Sequence, residues 1–210
     1  MRTRERSQLR RFRRVELFVA NLRGPLARLA LEVVRVRLHG IIEKIEKCAA
    51  EYDTVRRLSR KKSREHAALL ENIRDDHMLP VSQFAESRIE APAGLARALR
   101  VPHKRNAVRK TLAAAHGIAN VAARHAEWFM AEGFGRDFLA QYREALADVD
   151  RVTAERDTLL RRQIAANAAI QVELLKGKRA VLGLNAVLRR DLKKEPALLA
   201  TWRTIKRTED

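Results

Sequence analysis

The run RDFLAQYREALADVDRVTAERDTLLRRQIAANAAIQVELLKGKRAVLGLNAVLRRDLKK, residues 136–194, decides the fold. It contains no proline and only two glycines, Gly177 and Gly183. Apolar residues recur along it at Leu139, Tyr142, Leu146, Val149, Val152, Leu160, Ile164, Ile170, Leu174, Val181, Leu184, Leu188 and Leu192. The steps are mostly three, four or seven residues, the spacing of one stripe on an α-helix. At 1.5 Å per residue, a straight helix of this length spans about 88 Å. A stripe that long needs a long partner to cover it.

Residues 25–78 supply the partner. Gly24-Pro25 punctuates the chain, and proline is tolerated in a first helical turn because its missing N–H has no intrahelical acceptor there. Leu26, Leu29, Val33, Val36, Ile41, Ile45, Cys48, Tyr52 and Val55 are read as one side of this helix. Gly40 either bends it or allows close packing, at a cost of about 1 kcal/mol relative to alanine. The apolar stripe stops after Leu58 and resumes at Leu69, and Pro80 is expected to end the helix near Leu79. Short helices are expected at about 81–89 and near Ala93–Leu99, then a longer one at about 104–132. Gly133 and Gly135 mark a turn before the long run. Trp128, Phe129, Phe134, Phe138 and Tyr142 gather around that turn as a core cap, since buried aromatics dominate cores. Glu195-Pro196 opens a last helix at 196–205 that folds back with Trp202. The expected fold is all-α, an elongated bundle of about four helices with two long antiparallel members. Residues 1–24 form an arginine-rich arm and 25–210 one domain.

Charge is the strongest compositional signal. Lysine and arginine total 44 and aspartate and glutamate 26, so 44 − 26 = +18. Such an excess repels itself unless salt or a polyanion offsets it. Cys48 is the only cysteine, so no intramolecular disulfide forms and Cys-rich zinc sites are excluded. No run reaches the roughly 18 apolar residues of a membrane-spanning helix. The expected location is the cytoplasm.

Motifs for catalysis are missing. A carboxylate-bridged di-metal bundle needs paired Glu-x-x-His motifs, and no glutamate here has histidine three residues on. The six histidines, His39, His66, His77, His103, His116 and His125, are scattered without ligand spacing. Gly133-Phe134-Gly135 is a turn and not a phosphate-binding loop. Asp75-Asp76-His77 reads as a helix end with a minor metal-binding alternative. The expectation is therefore a protein that is not an enzyme and uses no cofactor and no metal.

Arginines and lysines carry the remaining candidates. Arg56, Arg57, Arg60, Lys61, Lys62 and Arg64 form the densest internal cluster. Positions 57, 60, 61 and 64 share one helical face and suit a row of phosphates. A second zone holds Lys176, Lys178, Arg179, Arg189 and Arg190, and a third His103, Lys104, Arg105, Arg109 and Lys110. Each is equally a solvated helix face. The arm carries seven arginines within residues 1–14, with Leu9, Phe12, Val15, Phe18, Val19 and Leu22 at helical spacing. It is either a basic amphipathic helix for an anionic surface or an extension docked on the bundle. No helix-turn-helix spacing, zinc finger or aromatic RNA-binding pair supports sequence-specific reading of bases. The leading expectation is a basic binding or scaffold protein that contacts DNA or RNA through its backbone. The alternatives are a homodimer or a module for an acidic protein partner, and, ranked below these, a peripheral membrane protein.

Three stretches add a resemblance: His77-Met78-Leu79-Pro80-Val81 with Phe84-Ala85, Leu175-Lys176-Gly177-Lys178-Arg179-Ala180-Val181 with Leu184-Asn185-Ala186-Val187-Leu188, and Pro196-Ala197-Leu198-Leu199-Ala200-Thr201-Trp202-Arg203. Together they resemble an uncharacterised bacterial family of all-helical proteins. The resemblance spans roughly residues 25–207 and implies a helical bacterial protein. It assigns no activity and no functional residue.

Overall fold

The computed structural model describes residues 1–22, 29–88, 91–103 and 108–206. Every regular element among them is helical. The order is α1 (Thr3–Ala20), α2 (Leu29–Asn72), a π-helical turn (Ile73–Met78), α3 (Leu79–Ser87), α4 (Leu95–Ala98), α5 (Val108–Arg124), α6 (Ala126–Ala131), α7 (Phe138–Asp191), a 3₁₀ turn (Leu192–Lys194) and α8 (Pro196–Ile205). The all-α class and the two long helices are as expected. The expected count of about four is too low, because seven of the described α-helices have six residues or more. The starts expected at Pro25 and Lys104, the end expected at Ile89, Leu26 and the side chain of Leu29 lie outside the described residues.

The chain divides into two compact units, residues 1–57 with 159–210, and residues 58–158. The physical reason is visible in both long helices. On α2 no side chain is buried from Arg56 to Glu65, and on α7 none from Thr153 to Ala165. Each long helix therefore carries two buried stretches with a polar or exposed stretch between them. Within each unit α2 and α7 run antiparallel. Glu51 and Tyr52 meet Arg162 and Gln163 in the first unit, and Lys62 and His66 meet Glu155 and Thr153 in the second.

The first unit takes the arginine-rich segment into its core. Leu9, Phe12, Val15, Phe18 and Val19 of α1 are buried against Leu38, Ile42, Ile45, Leu174, Val181, Leu184 and Leu188. Glu5, the lone acid among the arginines of residues 1–14, is buried but satisfied. It accepts the Arg2 N–H at 2.7 Å and Gln171 Nε2 at 2.6 Å. The first acceptor contact holds the opening turn of α1, where backbone donors lack partners. Gly177 lets α1 approach α7, because a Cβ there would lie 2.3 Å from Phe12 Cε2. At the other end α8 folds back. Trp202 is fully buried, its ring centroid is 5.5 Å from that of Phe18, and its Nε1 donates to Asn185 Oδ1 at 3.1 Å. The arginine-rich segment is thus helical, and its apolar residues belong to the core of this unit.

The second unit is built on the turn between α6 and α7. Gly133 sits at φ +96°, where a side chain is disfavoured. Phe134 N–H donates to Phe129 O at 2.8 Å and Gly133 N–H to Met130 O at 3.2 Å, the two bonds of a Schellman helix ending. Phe84, Trp128, Phe129, Phe134 and Phe138 pack around it with ring centroids 4.6–5.9 Å apart. Tyr142 is buried and donates to Ala115 O at 2.9 Å, tying α7 to α5.

Three expectations require correction. Pro80 does not end a helix. The π turn before it gives Leu79 N–H an acceptor at Arg74 O, so the backbone stays helical past a residue that cannot donate. The helix expected at 104–132 breaks at His125 into α5 and α6. The apolar stripe assigned to residues 25–55 mixes two faces. Val33 and Val36 are 60% and 58% exposed, whereas Leu31, Leu38 and Ile42 are buried. Leu160 and Ile164 of α7 are likewise exposed, because they lie in the unburied stretch of that helix.

Candidate functional site

The densest basic cluster lies on α2 at the stretch that buries nothing. Arg56, Arg57, Arg60, Lys61 and Arg64 are exposed. Among the described residues, Arg60, Lys61 and Arg64 have no carboxylate within ion-pair distance, and Arg57 reaches only Thr54 Oγ1 at 3.4 Å. Lys62 is different. It turns to Glu155 at 2.6 Å and Glu65 at 3.0 Å, and the Glu155 contact chiefly raises its pKa. Glu155 is shared with Arg151 at 3.2 Å and is held below its ordinary value, first by Lys62. The acids near this cluster thus neutralise Lys62 and Arg151 and leave the outward row uncompensated. Arg57 belongs to the first unit and Arg60, Lys61 and Arg64 to the second.

The second basic zone does not form one surface. Lys176 bonds Glu173 at 2.6 Å, and Lys178 is half-buried on another side of α7. Arg189 and Arg190 are exposed in the last turn of α7, where cations favour the negative end of the helix dipole. Lys176 and Arg179 instead join Arg37 and Lys44 of α2 around a groove of about 830 Å³. Arg37 and Lys44 line this groove without belonging to any basic cluster expected from the sequence. Val33, Arg37, Gly40 and Lys44 recur every three or four residues, which was the available signal. In the third zone Lys104 and Arg105 lie outside the described residues, and Arg109 and Lys110 are exposed on α5.

Among the described residues no group of three or more His, Cys, Asp or Glu side chains is placed to hold a metal ion. No described helix is long and apolar enough to cross a membrane. Cys48 is half-buried beside the first core. His66, His77 and His39 take part in packing or pairing. His66 is buried with its Nε2 3.0 Å from Thr153 Oγ1, and His77 stacks on Tyr142 with centroids 5.3 Å apart. His39 Nδ1 lies 2.7 Å from Glu16, with Glu43 3.3 Å from its other nitrogen.

These placements give the histidines opposite pH dependences. Burial depresses His66, with Arg156 adding to the effect, and burial depresses His77 against the pull of Asp76. The hydrogen bond to Glu16, then the charges of Glu16 and Glu43, raise His39. A depressed histidine contributes stability above its unfolded pKa of about 6.5, and that stability is lost as pH falls through the folded value. A raised one contributes below about 6.5 and loses its contribution as pH rises through the folded value. Acidification from about pH 7.5 to about pH 5.5 is therefore expected to weaken the second unit relative to the first. Hydrogen exchange should show α5 amides losing protection while α1 amides hold theirs. Equal loss in both helices would remove the histidines as the cause.

No family model, no curated protein and no solved structure matches this chain. The residues and their geometry carry the functional reading on their own.

Proposed function

We propose that this chain is a non-enzymatic, basic helical binding protein that holds the phosphate backbone of DNA or RNA without reading sequence. The observation that carries the reading is the row Arg60, Lys61 and Arg64 within the second unit. It is exposed and uncompensated on α2, while Lys62 beside it is withdrawn to Glu155 and Glu65. Spacings of three and four residues on a helix place successive cations along one line, and a line of cations suits a line of phosphates. Each phosphate neutralised releases condensed counterions, so binding falls steeply with salt. The membrane alternative finds less support. The apolar side of α1 that would enter a lipid surface is occupied by the core of the first unit.

The test is a salt titration of nuclease-treated protein against labelled duplex DNA, single-stranded RNA and heparin. For duplex DNA each lost phosphate contact removes about 0.9 from the log-log slope. Replacing Arg60, Lys61 and Arg64 together with glutamate is expected to flatten the slope by about 2–3 and to abolish retention near physiological salt. An unchanged slope, or heparin binding as tight as nucleic-acid binding, would sink the proposal.

A further inference from the structure

The groove between residues 33–44 of α2 and 173–183 of α7 has the chemistry of a second binding surface, separate from the phosphate row. Its floor is apolar and open. Val33 and Val36 are more than half exposed, and a Cβ built on Gly40 or Gly183 would meet no atom within 4 Å. The rim is cationic. Arg37, Lys44, Lys176 and Arg179 line the groove against one carboxylate, Glu173, so 4 − 1 = +3. Glu173 Oε1 is held by Lys176, and its Oε2 is buried with no donor. Arg35, on the same segment of α2, is engaged by Glu32. Among the described residues Arg37, Lys44 and Arg179 have no such acid.

The geometry points to an acidic amphipathic α-helix of a partner protein as the occupant. The segment from residue 33 to residue 44 is about 17 Å long, which matches roughly three turns of a docked helix. Its apolar stripe would cover the two valines, and the absent side chains at Gly40 and Gly183 leave room for close approach. Carboxylates on both flanks would meet the rim cations. A second copy of this chain fits poorly, because it would bring the same +3 to the same place and a net charge of +18 overall. Nucleic acid also fits poorly, because a phosphate backbone gains nothing from exposed valines.

The probe is a fluorescein-labelled synthetic helix of about 18 residues, long enough to be helical alone, with leucine along one stripe and glutamate on both flanks. A companion peptide carries lysine in place of every glutamate. Fluorescence anisotropy with the full chain is expected to show binding of the acidic peptide only. Val36→Glu and Gly183→Leu are each expected to weaken it roughly tenfold or more. Gly183→Leu fills the groove from a helical position where leucine is the better helix former, so it keeps the fold. Arg60→Glu with Lys61→Glu and Arg64→Glu is expected to leave peptide binding nearly unchanged, which separates this surface from the phosphate row. Binding of neither peptide, or acidic-peptide binding indifferent to Val36→Glu, overturns the inference. So does sedimentation showing a dimer that Gly183→Leu dissociates, or RNA binding that depends on Val36 and not on Arg60, Lys61 and Arg64.

Discussion

Phe12→Ala is expected to destabilise the first unit by about 3–5 kcal/mol, the cost of emptying a fully buried aromatic site. Phe12 has no exposed surface and lies against the helix backbone at Gly177. The two positions form one fit, so their effects should depend on each other. Gly177→Ala alone gains about 1 kcal/mol of helix propensity. It also sets a methyl 2.3 Å from a ring that is packed on all sides. Forcing such overlap costs about 1–3 kcal/mol, so the net change should be destabilising. In the Phe12→Ala background the obstruction is gone, and the same substitution should stabilise by about 1 kcal/mol. Chemical unfolding can follow this through Trp202, which packs on Phe18 in the same unit, once Trp128 of the other unit is replaced with phenylalanine. If Gly177→Ala stabilises both backgrounds equally, the ring yields freely and the fit between α1 and α7 is not tight.

The bounds of α7 and α8 are legible in the sequence because hard punctuation stands beside them. Pro196 opens α8, Gly133 and Gly135 precede α7, and both helices appear within two or three residues of the expected bounds. Which face of α2 is covered is not legible in the sequence, for a physical reason. In a helix as apolar as residues 29–58, a second stripe at the same period passes through Val33, Val36 and Gly40, and periodicity alone does not say which stripe is covered. Only the partner decides, and here Leu31, Leu38 and Ile42 face it. The same limit applies to the candidate surfaces. Helical spacing placed Arg57, Arg60, Lys61 and Arg64 on one side. That Lys62 leaves the cluster depends on Glu155, which reaches it only when α7 lies antiparallel to α2. The groove rim is further removed still, since Arg37 and Lys44 become neighbours of Lys176 and Arg179 only in the folded register. Pro80 misled because a proline normally closes a helix, and the π turn that accommodates it has no signal in composition.

Phe129→Ala should have a comparable effect on the second unit, again about 3–5 kcal/mol. Phe129 is fully buried, with centroids 4.9–5.9 Å from Trp128, Phe84, Phe134 and Phe138. It is also the residue whose carbonyl accepts the Phe134 N–H that closes α6. In this helix ending the apolar contact between Phe129 and Phe134 accompanies the hydrogen bond, so removing the ring weakens the turn that aims α7 back at α5. Phe129→Leu keeps most of the apolar volume and should cost less, about 1–1.5 kcal/mol. Gly133→Ala attacks the same ending through the backbone. An alanine held at positive φ costs about 1–2 kcal/mol without disturbing any ring. The ordering Phe129→Ala, then Gly133→Ala and Phe129→Leu, can be read from hydrogen exchange of α5 amides and near-UV circular dichroism. Phe129→Ala leaving both signals at wild-type values would mean that the aromatic cluster covers the turn without supporting it. Loss of α5 protection with Gly133→Ala but not with Phe129→Ala would place the stability in the backbone ending instead of the rings.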